Sequence, residues 1–171
     1  GESGITKLDT PWAPQAAVQI AGVVQHDVEE DVGRVPARRL DRSQQLAVLA
    51  AREAWADAGL GAGSVPPERV AVAVGSGVGG AQTLLDQHDL LADKGASRVS
   101  PYTVPRLMPN GSAAAVSLDL QARAGAHAPT SACASGAEAL WLASLLLNSR
   151  RADVVIAGGT DACIAPVSIA G

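Results

Sequence analysis

The chain has 171 residues, 47% of them apolar and 18% charged, with a formal net charge of −4. That length and balance fit one globular domain with a real core and exclude a disordered chain. The acidic balance argues against a general binder of nucleic acid or anionic membrane, and no apolar run approaches the roughly 20 residues that span a bilayer. Aromatics are 2% and Phe is absent, so the core must come from Ala, Val, Leu and Ile. Cys133 and Cys163 form no C-x-x-C pair, which leaves neither a zinc site nor a disulfide framework. The N-terminus shows no basic stretch followed by an apolar one, so a reducing cytoplasm is the expected setting. Both ends, "GESG" and "PVSIAG", read as cut from a larger domain, so residues 1–171 are expected to be a domain truncated at both ends.

In chain order, residues 16–24 ("AAVQIAGVV") read as a short buried or edge strand, followed by a mixed-charge loop from His26 to Arg39. Asp41 has the chemistry of an N-cap for a helix running to about Ala58, with Gly59 closing it. Val70 to Val74 is a strand by its β-branched alternation. Gly79 to about Asp93 reads as a helix closed by Gly95, and Ser100 to Pro105 as an extended stretch between prolines. Gly111 to about Ala122 is helical. Ser135 to Asn148 is a strongly apolar helix expected to be covered on several sides. Asp153 to Ala157 is a buried strand before "GGTDA". Strands alternating with helices give an α/β fold with a largely covered sheet.

Two turns carry chemistry. Gly75, Gly77 and Gly80 in "VGSGVGG" match the G-x-G-x-x-G spacing of dinucleotide loops. A dinucleotide unit also needs a second strand with an acid about 20 residues on, to hold the ribose. Asp86, Asp89 and Asp93 fall on the helix instead, and "SRVSPYTVP" carries no acid. The glycines therefore read as a tight strand-to-helix turn where backbone approaches something closely. The second turn, "TSACASG", puts Cys133 among small residues just before the long apolar helix. Helix-start N–H groups favour the thiolate, the attacking form, and stabilise an oxyanion on an acyl carbon. Such a cysteine is either a nucleophile that carries an acyl group as a thioester or a small buried hydrophobe, and the residues alone leave both open. Cys163 lacks a helix start behind it. His26, His88 and His127 stand in unrelated settings, and none is a matching base.

Taken together, "SACASGAEAL", "ADVVIAGGTDA", "GSGVGG" and "VSPYTVPRLMPN" resemble, in order and along the whole chain, the β-ketoacyl-[acyl carrier protein] synthases of the elongating type, including the mycolic-acid condensing enzymes. The resemblance implies the N-terminal half of a thiolase-like fold, layered α-β-α-β-α, without its first strand. It implies that Cys133 is the catalytic nucleophile of a decarboxylative Claisen condensation, with Ala132 beside it and Val78 on the wall of an acyl tunnel. The family's two histidines, its lysine and its second oxyanion amide lie in its C-terminal half, and this chain's histidines match none of those positions. An incomplete unit of this kind is expected to leave apolar surface exposed, and to be inactive alone.

The resemblance further implies an acyl carrier protein as partner, docked by Arg38, Arg39 and Arg98. It also implies a homodimer in which Tyr102 to Asn110 reaches the partner's tunnel, and no cofactor or metal. A polyketide ketosynthase, a thiolase or chalcone-type synthase, and a catalytically silent chain-length-factor subunit are the alternative readings. Silent subunits typically lack the cysteine that this chain retains.

Overall fold

The computed structural model describes residues 1–171. Its centre is a parallel sheet in the order β4-β3-β5, formed by β3 (Val70–Gly75), β4 (Ala126–His127) and β5 (Val154–Gly159). β3 pairs with β5 from Val70↔Val154 to Gly75↔Gly159, so the two strands end level with each other. Being central, β3 is buried along its whole length. β5 lies at the edge and is half-buried rather than fully covered as its apolar run implied.

The alternation along β3 sorts its side chains into two layers. Val70, Val72 and Val74 face α3 (Arg42–Asp57) and α6 (Gly111–Asp119), where Ala47, Val48, Ala51, Ala113 and Val116 complete the main core. Ala71 faces the other way, toward Leu146 on α7 (Ser135–Asn148). Small residues on both sides let helices approach closely, which is how a core without Phe reaches native density. The chain thus forms three layers, helix-sheet-helix. α7, however, is not covered on several sides. Ala139, Ala143 and Leu146 are buried, whereas Leu140 and Trp141 are each 60% exposed and Leu145 and Leu147 also face out.

α3 begins as its sequence indicates. The Asp41 carboxylate accepts from Ser43 N–H at 2.8 Å, and the Asp41 N–H donates to Gln44 Oε1 at 3.2 Å, completing a capping box. α4 (Ala81–Lys94) starts two residues later than expected and closes at Gly95, φ 79°.

Several expectations are corrected. The region read as the loop His26–Arg39 contains two short helices, α1 (Val28–Val32), capped by Asp27, and α2 (Arg34–Ala37). Five and four residues are too few to show a helical period. The strand read over 16–24 shrinks to β2 (Ile20–Gly22), which pairs antiparallel with β1 (Ile5–Lys7) in a hairpin that is mostly exposed. The stretch read as extended contains the start of α5 (Thr103–Leu107). Pro105 falls in its first turn, where a missing N–H costs no helical bond. β4 and the terminal α8 (Pro166–Ala170) were not anticipated. No helix is long and apolar enough to cross a membrane.

Candidate active site

Three backbone segments converge at the C-terminal end of the sheet: the ends of β3 and β5 and the start of α7. Their approach is so close that a Cβ on Gly75 would sit 2.6 Å from Ser135 O and 2.7 Å from Pro129 O. Glycine is required there because both obstacles are backbone. Between the segments lies a cavity of about 280 Å³, lined by Gly75, Ala132, Cys133, Gly159, Thr160 and Asp161 among others.

The cysteine turn is held in an unusual conformation. Ala132 has φ 48°, left-handed backbone that costs a side-chain-bearing residue roughly 1–2 kcal/mol. Cross-bracing opposes that strain. Ser135, 3% exposed, donates its hydroxyl to Ala132 O at 2.6 Å and accepts Ser131 N–H at 2.9 Å. The Ser131 hydroxyl donates to the carboxylate of Glu138 in the first turn of α7. Ala134 N–H donates to Ser131 O and Ser135 N–H to Ala132 O, while the Cys133 amide donates to no backbone or side-chain acceptor. The Cys133 thiol is exposed. A free thiol beside a free amide at the start of a helix is an arrangement that can bind a carbonyl oxygen and attack its carbon.

The glycine turn next to it is the opposite case. The Asp161 carboxylate accepts the Ser76 hydroxyl at 2.7 Å, Gly77 N–H at 3.1 Å and Val78 N–H at 3.3 Å. Ser76, 1% exposed, in turn accepts Gly79 N–H at 2.8 Å. Successive amides of this kind form a nest suited to an anion, and here the chain fills it with its own carboxylate. The third glycine of the fingerprint is used for packing: a Cβ on Gly80 would overlap Arg106 O and come within 2.9 Å of Leu107 Cα. The dinucleotide reading of G-x-G-x-x-G therefore finds the Gly77, Val78, Gly79 and Gly80 amides already engaged within the chain.

The N-terminus of α3 ties these parts together. Buried Asp41 accepts the Thr83 hydroxyl of α4 at 2.6 Å, and Gln44 Nε2 donates to Pro105 O and Arg106 O of α5, both at 3.0 Å. Thr160, on the cavity wall, donates to Ser43 O at 3.0 Å.

Of the residues singled out from sequence, Cys133 and Ala132 share the cavity. Val78 sits on the adjoining glycine turn, 51% exposed. Arg38, Arg39 and Arg98 are all exposed, and the Arg39 guanidinium lies 5.6 Å from the Tyr102 ring centroid, a cation–π contact that joins the turn after α2 to the segment after Arg98. No histidine lines the cavity: His26 pairs with Asp31, His88 with Asp89, and His127 lies on β4 with a buried, unpartnered Nε2. Cys163 is half-buried in a neighbouring cavity with Lys7 and Arg42. Sequence reasoning missed Asp161 and Ser76. The available signal was an acid placed just after paired glycines at the end of a parallel strand.

A family model described as "Beta-ketoacyl synthase, N-terminal domain" matches residues 1–171. A 3-oxoacyl-[acyl-carrier-protein] synthase 2 of Staphylococcus aureus is 38% identical over 172 residues, covering 100% of this chain and 43% of that protein. The enzyme of the same name from Mycobacterium bovis is 38% identical, covering 99% of this chain and 41% of its own length. The chain thus spans less than half the length of these relatives. Among solved structures, a β-ketoacyl synthase from Burkholderia phymatum superposes with a TM-score of 0.80 at 26% identity over 96% of this chain and 41% of that one. A type II polyketide ketosynthase, solved in complex with its acyl-carrier protein, reaches 0.78 at 21% identity over 85% of this chain and 42% of that one, a likeness of fold. The α/β architecture, the order of its motifs and the full-length family match agree, and the chain belongs to the β-ketoacyl synthase family, as its N-terminal, thiolase-like domain.

Proposed function

We propose that this chain carries the nucleophile of a 3-oxoacyl-[acyl carrier protein] synthase. The observation that carries the reading is the exposed Cys133 thiol next to its own free amide, presented by the strained Ala132 turn at the start of α7. The Cys133 sulfur attacks an acyl-carrier thioester, the carrier leaves as its thiol, and the acyl group stays on Cys133. Malonyl-carrier then loses carbon dioxide; the resulting enolate attacks the Cys133 thioester, a carbon–carbon bond forms, and the cysteine leaves as thiolate. The Cys133 amide donates to the oxyanion in both tetrahedral steps.

The cavity is lined by no histidine or lysine, and the groups that move protons and stabilise the enolate are assigned to residues outside 1–171. This span alone is expected to bind the thiol-reactive acyl group poorly and to give no turnover. Retention of the cysteine favours a catalytic synthase over a silent partner subunit.

Val78 and Ala132 are assigned to the acyl-chain and thioester ends of the site. Arg38, Arg39 and Arg98 are assigned to docking of an acidic carrier protein. They are exposed on an acidic chain, and local basic groups steer an acidic partner despite the net charge. The segment from Tyr102 to Asn110, with Val104 61% and Met108 42% exposed, is assigned to a homodimer interface. In the full-length protein, acyl transfer from acyl-carrier should vanish in Cys133→Ala and survive in Cys163→Ala. Acylation that persists in Cys133→Ala would refute the reading.

A further inference from the structure

Asp161 is the one charged group on the cavity wall that the reaction itself does not use. Its carboxylate is engaged by four donor contacts: the Ser76 hydroxyl at 2.7 Å, Val78 N–H at 3.3 Å, and Gly77 N–H at 3.1 Å from each of its oxygens. The donors belong to the turn after β3 and the acceptor to the loop after β5, 85 residues later for the Ser76 bond. The clamp therefore closes across the ends of two paired strands at the mouth of the Cys133 cavity.

We infer that Asp161 is a positioning residue, which rests on the proposed acyl-transfer reading: it fixes the Ser76–Gly79 turn so that Val78 forms a rigid wall for a long acyl chain. Three features of the turn support this. The amides of Gly77 and Val78 have no competing acceptor within the chain. The backbone of Gly77 lies against Ala132, a Cβ there meeting Ala132 C and O at 3.4 Å, so the wall that the clamp fixes stands directly beside the thioester end of the site. Ser76 relays the same carboxylate to Gly79 N–H, so one side chain organises the whole turn. Charge-assisted bonds of this kind are the stronger class, and their removal leaves several turn N–H groups to find water.

The clamp acts on the wall, not on the sulfur, which separates it from a general structural role. A wall that binds the chain equally in ground and transition states alters KM rather than kcat. In the full-length protein, Asp161→Ala should raise KM for palmitoyl-carrier about tenfold and that for acetyl-carrier by less than about twofold. Alkylation of Cys133 by iodoacetamide should stay within about twofold of wild type, because the Ala132–Ser135 bracing is intact. Asp161→Glu, which keeps the charge and both oxygens, should recover most of the palmitoyl KM.

Should Asp161→Ala fail to fold, Asp161→Asn keeps one accepting oxygen and should show the same chain-length-selective loss at smaller size. An unchanged ratio of palmitoyl to acetyl KM in the folded variant would overturn the inference. So would an equal loss for both chains together with slowed alkylation. Failure of wild type to acylate Cys133 at all would instead overturn the acyl-transfer reading, so the two failures are told apart.

Discussion

Two strand-to-helix turns lie side by side at the C-terminal end of the sheet, each leading into a helix of 14 residues. The glycine turn before α4 has its amides turned on the Asp161 carboxylate and Ser76. The cysteine turn before α7 leaves the Cys133 amide and thiol open. The difference lies in whether the amides of the turn are satisfied within the chain. A nest whose donors are already paired within the chain is part of the framework; one with a free donor beside a nucleophile is poised for a ligand. Glycine spacing by itself does not distinguish the two, and the partner of each amide does.

The contrast is broken most severely at the thiol. Cys133→Ala should lower condensation by more than about 10⁴-fold, because no second thiol lines the cavity; steady-state turnover of the full-length protein with acyl- and malonyl-carrier measures it. Breaking the framework turn acts on stability instead. Gly75→Ala forces a Cβ against Ser135 O and Pro129 O, neither of which is a movable side chain. Urea unfolding should show a loss of about 2–3 kcal/mol, with Cys133 displaced because Ser135 braces its turn.

Docking is expected to be a smaller effect. Reversing Arg38, Arg39 and Arg98 together to Glu should raise the carrier KM about tenfold at low salt and progressively less as salt screens the surface. Unchanged KM at low salt would remove these residues from the docking surface.

The smallest effect concerns the far end of the sheet. Arg69 holds Asp153 through two side-chain bonds, at 2.5 and 2.9 Å, just ahead of the paired starts of β3 and β5. The hydrogen bonds to Arg69 draw the Asp153 carboxyl below its ordinary value of 3.8, against a weaker opposing desolvation. A carboxyl with a depressed folded pKa stabilises fully above the unfolded value and loses that contribution as pH falls through the folded one. Asp153→Ala should therefore lower the melting temperature slightly at pH 7, and the gap to wild type should close in acid. Because the pair is solvent-exposed, added salt should shrink the gap as well.

Much of the architecture was legible where the signal was local and repeated. β3 announces itself by valine at alternate positions, α3 by Asp41 at its N-cap and Gly59 after its end, and α7 by a long apolar run before Asn148. Elements of two to five residues, such as β4, α1 and α5, carry too few positions for any period, and Pro105 misdirected the reading because its place in the helix was not known. The place of Cys133, on the cavity wall just before α7, was legible because the cysteine and the helix start coincide in one stretch. The Asp161 clamp was not, since its partners are more than 80 residues apart and meet only through the β3–β5 pairing. Nor could sequence show that the outward face of α7 would carry Leu140 and Trp141 exposed, because a helix with apolar residues on every side gives no sign of which side is covered.

The central claim is that Cys133 takes the acyl group. The direct measurement is peptide mapping by mass spectrometry of the full-length protein after brief incubation with palmitoyl-carrier and no malonyl-carrier. The account predicts a palmitoyl mass on the peptide that contains Cys133, sensitive to hydroxylamine as a thioester is, and none on the peptide that contains Cys163. A palmitoyl mass on Cys163, or on no cysteine while turnover proceeds, would contradict it.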